Sequence, residues 1–339
     1  MTSRISLFGR SVALLLAIIV TVSLFSCDRA EPRERYFFPY FDTQPTLTDY
    51  SGGSEADFVR RAGRVDGIFE YYHRLFDIYN EYDGISNVAT LNRLAGEGPV
   101  GVERELIDFL LFCKEMHETT DGAVNVAMGA VLRIWHEHRT AEGEKTLPDA
   151  DTLRAAGEHC DIDCLIIDEA ALTVEFSDPL MSLDVGAVAK GYAVERAAEY
   201  LISDGADGYV LNVGGNLRAI GKKPDGTAWK SYIRNPDIYD TENRYVYSFF
   251  LSDGSAVTSG DYERFFVVDG VRYHHIIDGK TLMPAAYFSS VTVLCRDSGM
   301  ADALSTALFN MDYESGKALV SSLDGVRAVW ITKTGEILE

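Results

Sequence analysis

A carboxylate and a hydroxyl lie four residues apart in Asp302-Ala303-Leu304-Ser305-Thr306-Ala307, so on a helix they share one face. Oxygen donors of this kind suit Mg2+, which takes few protein ligands and completes its shell with water and phosphate. The commoner use of this spacing taken alone is an acid on the helix dipole and a threonine bonded to the preceding turn. In Asp184-Val185-Gly186-Ala187-Val188-Ala189-Lys190-Gly191-Tyr192 a short strand, Met181 to Leu183, runs through small residues into a helix with Lys190 one turn inside. Such a corner offers backbone N–H groups and a positive dipole end to a phosphate. It reads equally as a tightly packed corner with a snorkelling lysine, and it lacks both the Walker spacing and a Rossmann glycine set. His274-His275-Ile276-Ile277-Asp278 places an imidazole near a carboxylate, as a general base or phosphate contact or as a surface histidine pair on a hairpin. The double glycine of Asn212-Val213-Gly214-Gly215-Asn216 marks a bulge or a close approach of ligand to backbone.

These segments need elements to hold them. Apolar residues recurring at three and four predict helices over Ala56 to about Tyr79, Glu103 to Glu118, Ala187 to Ser203, Met300 to Phe309 and Glu314 to Leu323. Alternating runs predict strands at Leu165 to Ile167, Leu172 to Phe176, Tyr209 to Val213, Lys230 to Arg234, Tyr245 to Leu251, Ala256 to Ser259, Phe265 to Val268, Ser290 to Cys295 and Arg327 to Thr332. Runs of adjacent strands with helices set apart indicate an α+β fold rather than a doubly wound sheet. No internal repeat or linker divides residues 40–339, which read as one domain.

The first residues address the chain. Arg4 and Arg10 precede an apolar run from Val12 to Phe25 that is shorter than the roughly 20 residues of a membrane span, so residues 1–26 read as an export signal. Leu24-Phe25-Ser26-Cys27 resembles a bacterial lipobox, which makes Cys27 the acylated first residue of the mature chain and residues 27–39 a charged tether. The expected place is extracytoplasmic, lipid-anchored on the periplasmic side, most simply of the inner membrane. A net charge of -21 repels nucleic acid and makes an anionic ligand dependent on local cations. Cys160 and Cys164 form either a small-loop disulfide or two unrelated thiols, with no histidine pair for zinc.

Taken in order, DVGAVAKGYAVE, NVGGN, TSGDYERFFVVDGVRYHHIID and ADALSTAL resemble the ApbE family of FAD:protein FMN transferases. Upstream, TDGAVNVAMGAVLRIW and IYNEYDGISNVATLN resemble two further family segments, so the likeness runs from about Phe41 to the end. The resemblance implies an α+β, T-fold-like architecture of mixed and antiparallel sheets with packed helices, FAD bound in a cleft, and Mg2+. It implies transfer of FMN to a threonine or serine of an acceptor protein, such as a membrane redox-complex subunit, with release of AMP. By the same matching Asp184 and Lys190 contact FAD, Phe41 makes its opening contact, and Tyr82 lies against the flavin. Ala123, Val124 and Asn125 line the cleft, and His275 with Ile276 lies beside the pyrophosphate. Ala187 through its carbonyl, Asp302, Ser305 and Thr306 are the implied metal ligands, while proton removal falls to His275 or Asp278. Two rival functions share the chemistry: a Mg2+-dependent FAD pyrophosphatase giving FMN and AMP, and a non-enzymatic flavin-binding lipoprotein. The chain departs from the common pattern at Glu195, where many members have aspartate, and at Gly279 and Leu282, where they have proline and glycine.

Overall fold

The computed structural model describes residues 31–339. The signal segment and Cys27 lie outside the described residues. The main element is an eight-stranded antiparallel sheet in the order β1-β2-β6-β7-β10-β13-β14-β15. Its strands are β1 (Arg33–Tyr36), β2 (Thr46–Asp49), β6 (Tyr209–Val213), β7 (Asn216–Ile220), β10 (Gly254–Gly260), β13 (Phe288–Cys295), β14 (Arg327–Thr332) and β15 (Ile337–Leu338). A small sheet of β3 (Val100–Gly101), β5 (Thr173–Phe176) and β4 (Leu165–Asp168) and two hairpins complete the β structure, β8 (Trp229–Arg234) with β9 (Tyr245–Leu251) and β11 (Phe265–Val268) with β12 (Val271–His274). In chain order the helices are α1 (Glu55–Phe76), α2 (Val88–Arg93), α3 (Arg104–Thr119), α4 (Gly129–Thr140), α5 (Ala150–Gly157), α6 (Ala189–Ser203), α7 (Ser298–Phe309) and α8 (Tyr313–Ser322). The architecture is the expected α+β.

Both faces of the main sheet are covered, and strand alternation assigns them. In β10 and β13, Val257 and Val293 pack with Ala301, Leu304 and Leu308 of α7, while the intervening Ala256 and Leu294 pack with Trp229, Ile233, Phe249 and Leu251 of the β8–β9 hairpin. Helices α1, α3 and α6 bury a further core that includes Phe69, Phe76, Phe109, Ala193 and Ala197. Helix α1 starts where Ser54 accepts the Asp57 N–H, with acids in its first turn, and α7 starts where Asp297 accepts the Met300 N–H.

Four differences from the sequence reading have local causes. The tether read over residues 27–39 is shorter, because Arg33–Tyr36 pairs with Thr46–Asp49 and Phe37 is buried; the fold begins at Arg33 rather than residue 40. The first helix stops at Phe76 and not Tyr79, because the Asp77 carboxylate accepts the N–H groups of Tyr79 and Asn80 and turns the chain. Met181 to Leu183 is not a strand; only Ser182 bridges, to Met128. Gly214-Gly215 is neither bulge nor strand interior but the two-residue turn that joins β6 to β7, with φ of +53° and +96°. Cys160 and Cys164 are free thiols.

Candidate active site

One large cleft, about 1560 Å³, exceeds the roughly 300–1,000 Å³ of a site for a drug-sized ligand. Its walls are the sheet ends at Asn212 to Leu217 and Ala256 to Gly260, the 41–46 and 77–82 loops, the face of α4, the 184–190 corner, the loop ending in His275 to Ile277, and one stripe of α7.

At the cleft floor two helices meet through a residue without a side chain. A Cβ on Gly191 of α6 would stand 2.3 Å from the Ser298 carbonyl oxygen and 2.4 Å from the Asp302 Cβ. The close approach lets the Gly191 N–H donate to Asp302 Oδ2 at 2.7 Å. The preceding residue, Lys190, sets its ammonium 3.4 Å from Asp302 Oδ1 and donates to the side-chain oxygen of buried Asn216. Glu195, one turn further along α6, holds the same two helices in register: its carboxylate accepts buried Arg218 at 3.1 Å and the Ser298 N–H at 2.8 Å. The Glu195 side chain thus reaches both partners. Burial pushes the Lys190 pKa down against the pull of Asp302.

Asp302 and Thr306 both face the cleft, with Asn310 one further turn on, whereas Ser305 does not. The Ser305 hydroxyl is fully buried, donates to the Asp302 carbonyl at 3.0 Å and meets the Ser259 hydroxyl at 2.8 Å. The expected ligand thus stands behind the cleft lining, bonded to Ser259 and the Asp302 carbonyl. Ala187 lines the cleft, while the Gly186 N–H is turned back onto Asp184 Oδ1 at 2.9 Å. The corner thus offers fewer free donors than its sequence promised. Among the described residues no three His, Cys, Asp or Glu side chains cluster as a metal cage. The donor set nevertheless fits Mg2+, which needs one or two carboxylates and takes its other ligands from phosphate and water. Two buried polar atoms without protein partners, Asn216 Nδ2 and Asn310 Oδ1, flank this stripe.

His275 lies on the cleft wall, its backbone N–H bonded to the Arg264 carbonyl at 3.1 Å. Burial, with the guanidinium charges of Arg264 and Arg139, lowers its pKa to about 3, so the ring is neutral near pH 7. Asp278 does not line the cleft. Its carboxylate caps its own loop, accepting the Lys280 N–H at 2.9 Å and the Thr281 hydroxyl at 3.0 Å, so of the two expected bases only His275 borders the cleft. Asp184 lies in the cleft wall with a pKa raised by burial, opposed by the Gly186 N–H and by His136, Arg139 and Arg264.

Phe41, Tyr82, Ala123, Val124, Asn125 and Ile276 all line the cleft. Phe41 sits at the tip of a tight Tyr40 to Thr43 hairpin with φ of +52°, a conformation costly for a bulky residue, and its ring stands edge-on to His73 at 5.5 Å. Tyr82 is tied back, its hydroxyl donating to Asp77 at 2.8 Å and its ring covered by Arg74. Tyr79 is 67% exposed, lines the same cleft and leans on His136, so it is the freer of the two rings. The Asn125 amide is spent on Cys160 and Ala127; only its position borders the cleft.

A sequence model described as the ApbE family matches residues 42–330. The chain belongs to the ApbE family. Among similar ApbE relatives, proteins named FAD:protein FMN transferase are 31% identical over 272 residues in Klebsiella pneumoniae, covering 80% of this chain and 83% of that protein. The counterpart in Treponema pallidum is 36% identical over 260 residues, covering 73% and 70%. In solved structures, an ApbE protein from Thermotoga maritima superposes with a TM-score of 0.80 at 28% identity over 91% of this chain and 97% of that one. A flavin transferase ApbE from Vibrio cholerae gives 0.75 at 25% identity, covering 91% and 96%.

Sequence reading missed Arg139, Arg264 and Asn216 as members of the site. Arg139 sits in the polar last turn of its helix, past the mostly apolar Ala130 to Trp135 stretch, and Arg264 in a loop. The Gly-Gly turn was the available signal for Asn216, since a two-residue turn fixes which residue returns into the sheet.

Proposed function

We propose that this member of the ApbE family transfers the FMN half of FAD onto a threonine or serine hydroxyl of another protein. The bond formed joins the acceptor oxygen to the FMN phosphorus, the pyrophosphate bond breaks, and AMP leaves. The observation that carries this reading is one cleft that brings a neutral imidazole, His275, together with the Lys190 ammonium and the Asp302–Thr306 oxygen pair. His275 takes the acceptor proton, since a lone pair is open on a ring held neutral. Lys190 orients a phosphate oxygen, and the rings at Tyr79 and Phe41 cover flavin and exclude water. Asp302, Thr306 and the Ala187 carbonyl would hold Mg2+, whose charge when bound offsets that gathering on the phosphate oxygens. Positioning and charge, rather than covalent chemistry, then carry catalysis, as in other phosphoryl transfers.

The same reading places the enzyme outside the cytoplasm, tethered through an acylated Cys27. Support comes from the signal and lipobox pattern alone. Incubating purified protein with FAD, Mg2+ and a candidate acceptor decides the activity. Acceptor gaining the mass of FMN with equimolar AMP is the expected result; free FMN and AMP without acceptor labelling would make the protein a pyrophosphatase.

A further inference from the structure

Four Lys and Arg side chains line the cleft, and three of them carry an ion pair. Lys190 has Asp302 at 3.4 Å, Arg264 has Asp42 at 3.3 Å and Arg234 has Glu263 at 3.9 Å. Arg139, in the last turn of α4, has no ion-pair partner among the described residues, although it is half-buried and lines the same cleft. Its guanidinium donates to His136 Nδ1 at 3.0 Å. A guanidinium can only donate, so Nδ1 is the acceptor and the His136 proton sits on Nε2, a further donor on the same wall. Arg264 and His275 stand together on another segment of that wall, joined through the Arg264 carbonyl. The two arginines repel: each depresses His275, and Arg264 depresses Arg139. The Arg264–Asp42 pair is exposed at the tip of the strained Phe41-Asp42 turn, so it exchanges readily for a stronger anion.

We propose that Arg139 with Arg264 forms a second anion subsite in this cleft, contributed by other segments than those of Lys190 and Asp302, that grips the pyrophosphate of FAD. Two like charges that repel each other in one cleft are stabilised by an anion of two charges, and bidentate guanidinium contacts suit phosphate oxygens. Arg264 gives up Asp42 on loading, which couples dinucleotide arrival to the 41–43 turn. Arg139 has no ion-paired carboxylate to give up, its guanidinium being donated to His136 Nδ1.

The inference rests on the FMN-transfer reading for its ligand, and its test is separable from that reading. Equilibrium binding of FAD and of riboflavin, which lacks phosphate, is measured without acceptor and without Mg2+ on the full folded domain of wild type, Arg139→Gln and Arg139→Lys. Arg139→Gln is expected to weaken FAD by about ten- to a hundredfold and to leave riboflavin unchanged, with Arg139→Lys recovering part of the loss. Equal weakening of FAD and riboflavin would make Arg139 a structural residue and overturn the proposal. Unchanged FAD affinity with a raised KM for acceptor protein would overturn it in favour of an acceptor carboxylate. If wild type fails to label any acceptor yet Arg139→Gln still loses FAD selectively, the subsite stands and the transfer reading falls.

Discussion

Asp302 has three neighbours competing for two oxygens: the Gly191 N–H, Lys190 and, in the proposed loaded state, a cation. Deleting its side chain would strand the Gly191 N–H and leave Lys190 without its counter-charge, a cost of about 1–3 kcal/mol in stability. Asp302→Asn separates the two effects, since an amide oxygen still accepts from Gly191. FMN transfer by Asp302→Asn is expected to fall at least about a hundredfold with the melting temperature little changed; full activity at ordinary Mg2+ would dismiss Asp302 as a ligand. His275 makes a different demand. Its pKa is lowered from the usual 6.5 to about 3 by burial and by Arg264 and Arg139, so a proton binds the unfolded chain more tightly than the folded one. The stability this ring contributes is complete above pH ~6.5 and is lost as pH falls towards about 3. Denaturation midpoints for wild type and His275→Asn should therefore converge as pH drops through that window. Lines that stay parallel would mean the ring is not held neutral. Transfer by the variant should drop by about 10² to 10⁴ while FAD still binds.

Helices α6 and α7 form the element on which the site depends, because Lys190 and Gly191 on one and Asp302 and Thr306 on the other meet at a contact with no room for a methyl group. Gly191→Ala would drive its Cβ against backbone at Ser298, an overpacking cost of about 1–3 kcal/mol, and would push Asp302 out of line. We expect transfer to fall further than stability accounts for. Gly63→Ala in α1 is the comparison: nothing lies within 4 Å of the added Cβ, and a helix interior gains roughly 0.5–1 kcal/mol from the exchange. If both variants behave alike, the interhelical contact does not set the site. This element also shows what the sequence could convey. Four-residue spacing put Asp302 and Thr306 on one face, and the apolar periods placed α1, α3, α6, α7 and most long strands within a few residues. Spacing says nothing of which neighbouring side chains are spent elsewhere. Ser305 went to Ser259 and the Asp302 carbonyl, and Asp278 to its own loop, through contacts across 46 residues in one case and three in the other. Short strands such as β1 and β2 lacked enough residues for alternation, and α4, with charged and histidine residues through its second half, lacked a stripe. Arg139 was illegible for the same reason: an unpaired charge is visible only when every possible partner has been placed.

At the scale of the molecule, the proposed lipid anchor has to work against the acidity of the chain. With a net charge of -21 the chain is repelled by anionic headgroups, so charge does not favour membrane association, and the proposed acyl group at Cys27 would have to supply it. The main sheet starts at Arg33, only six residues after Cys27, a reach of roughly 20 Å at full extension. A catalytic domain on so short a leash meets acceptors presented close to the lipid surface at a high effective concentration. Replacing Cys27 with serine should move the protein to the soluble fraction and leave its rate on a soluble acceptor fragment unchanged, because the residue is outside the cleft. Flavinylation of a membrane-embedded acceptor in cells should fall with it. Restoring the anchor through a linker lengthened by about 30 flexible residues should recover membrane association while restoring the labelling only in part, since effective concentration falls roughly as the −3/2 power of linker length. Mass spectrometry of the mature N-terminus supplies the independent check: a lipid-bearing Cys27 is expected, and a chain that retains Met1, or a Cys27→Ser variant that still pellets with membranes, would remove the anchor from the account.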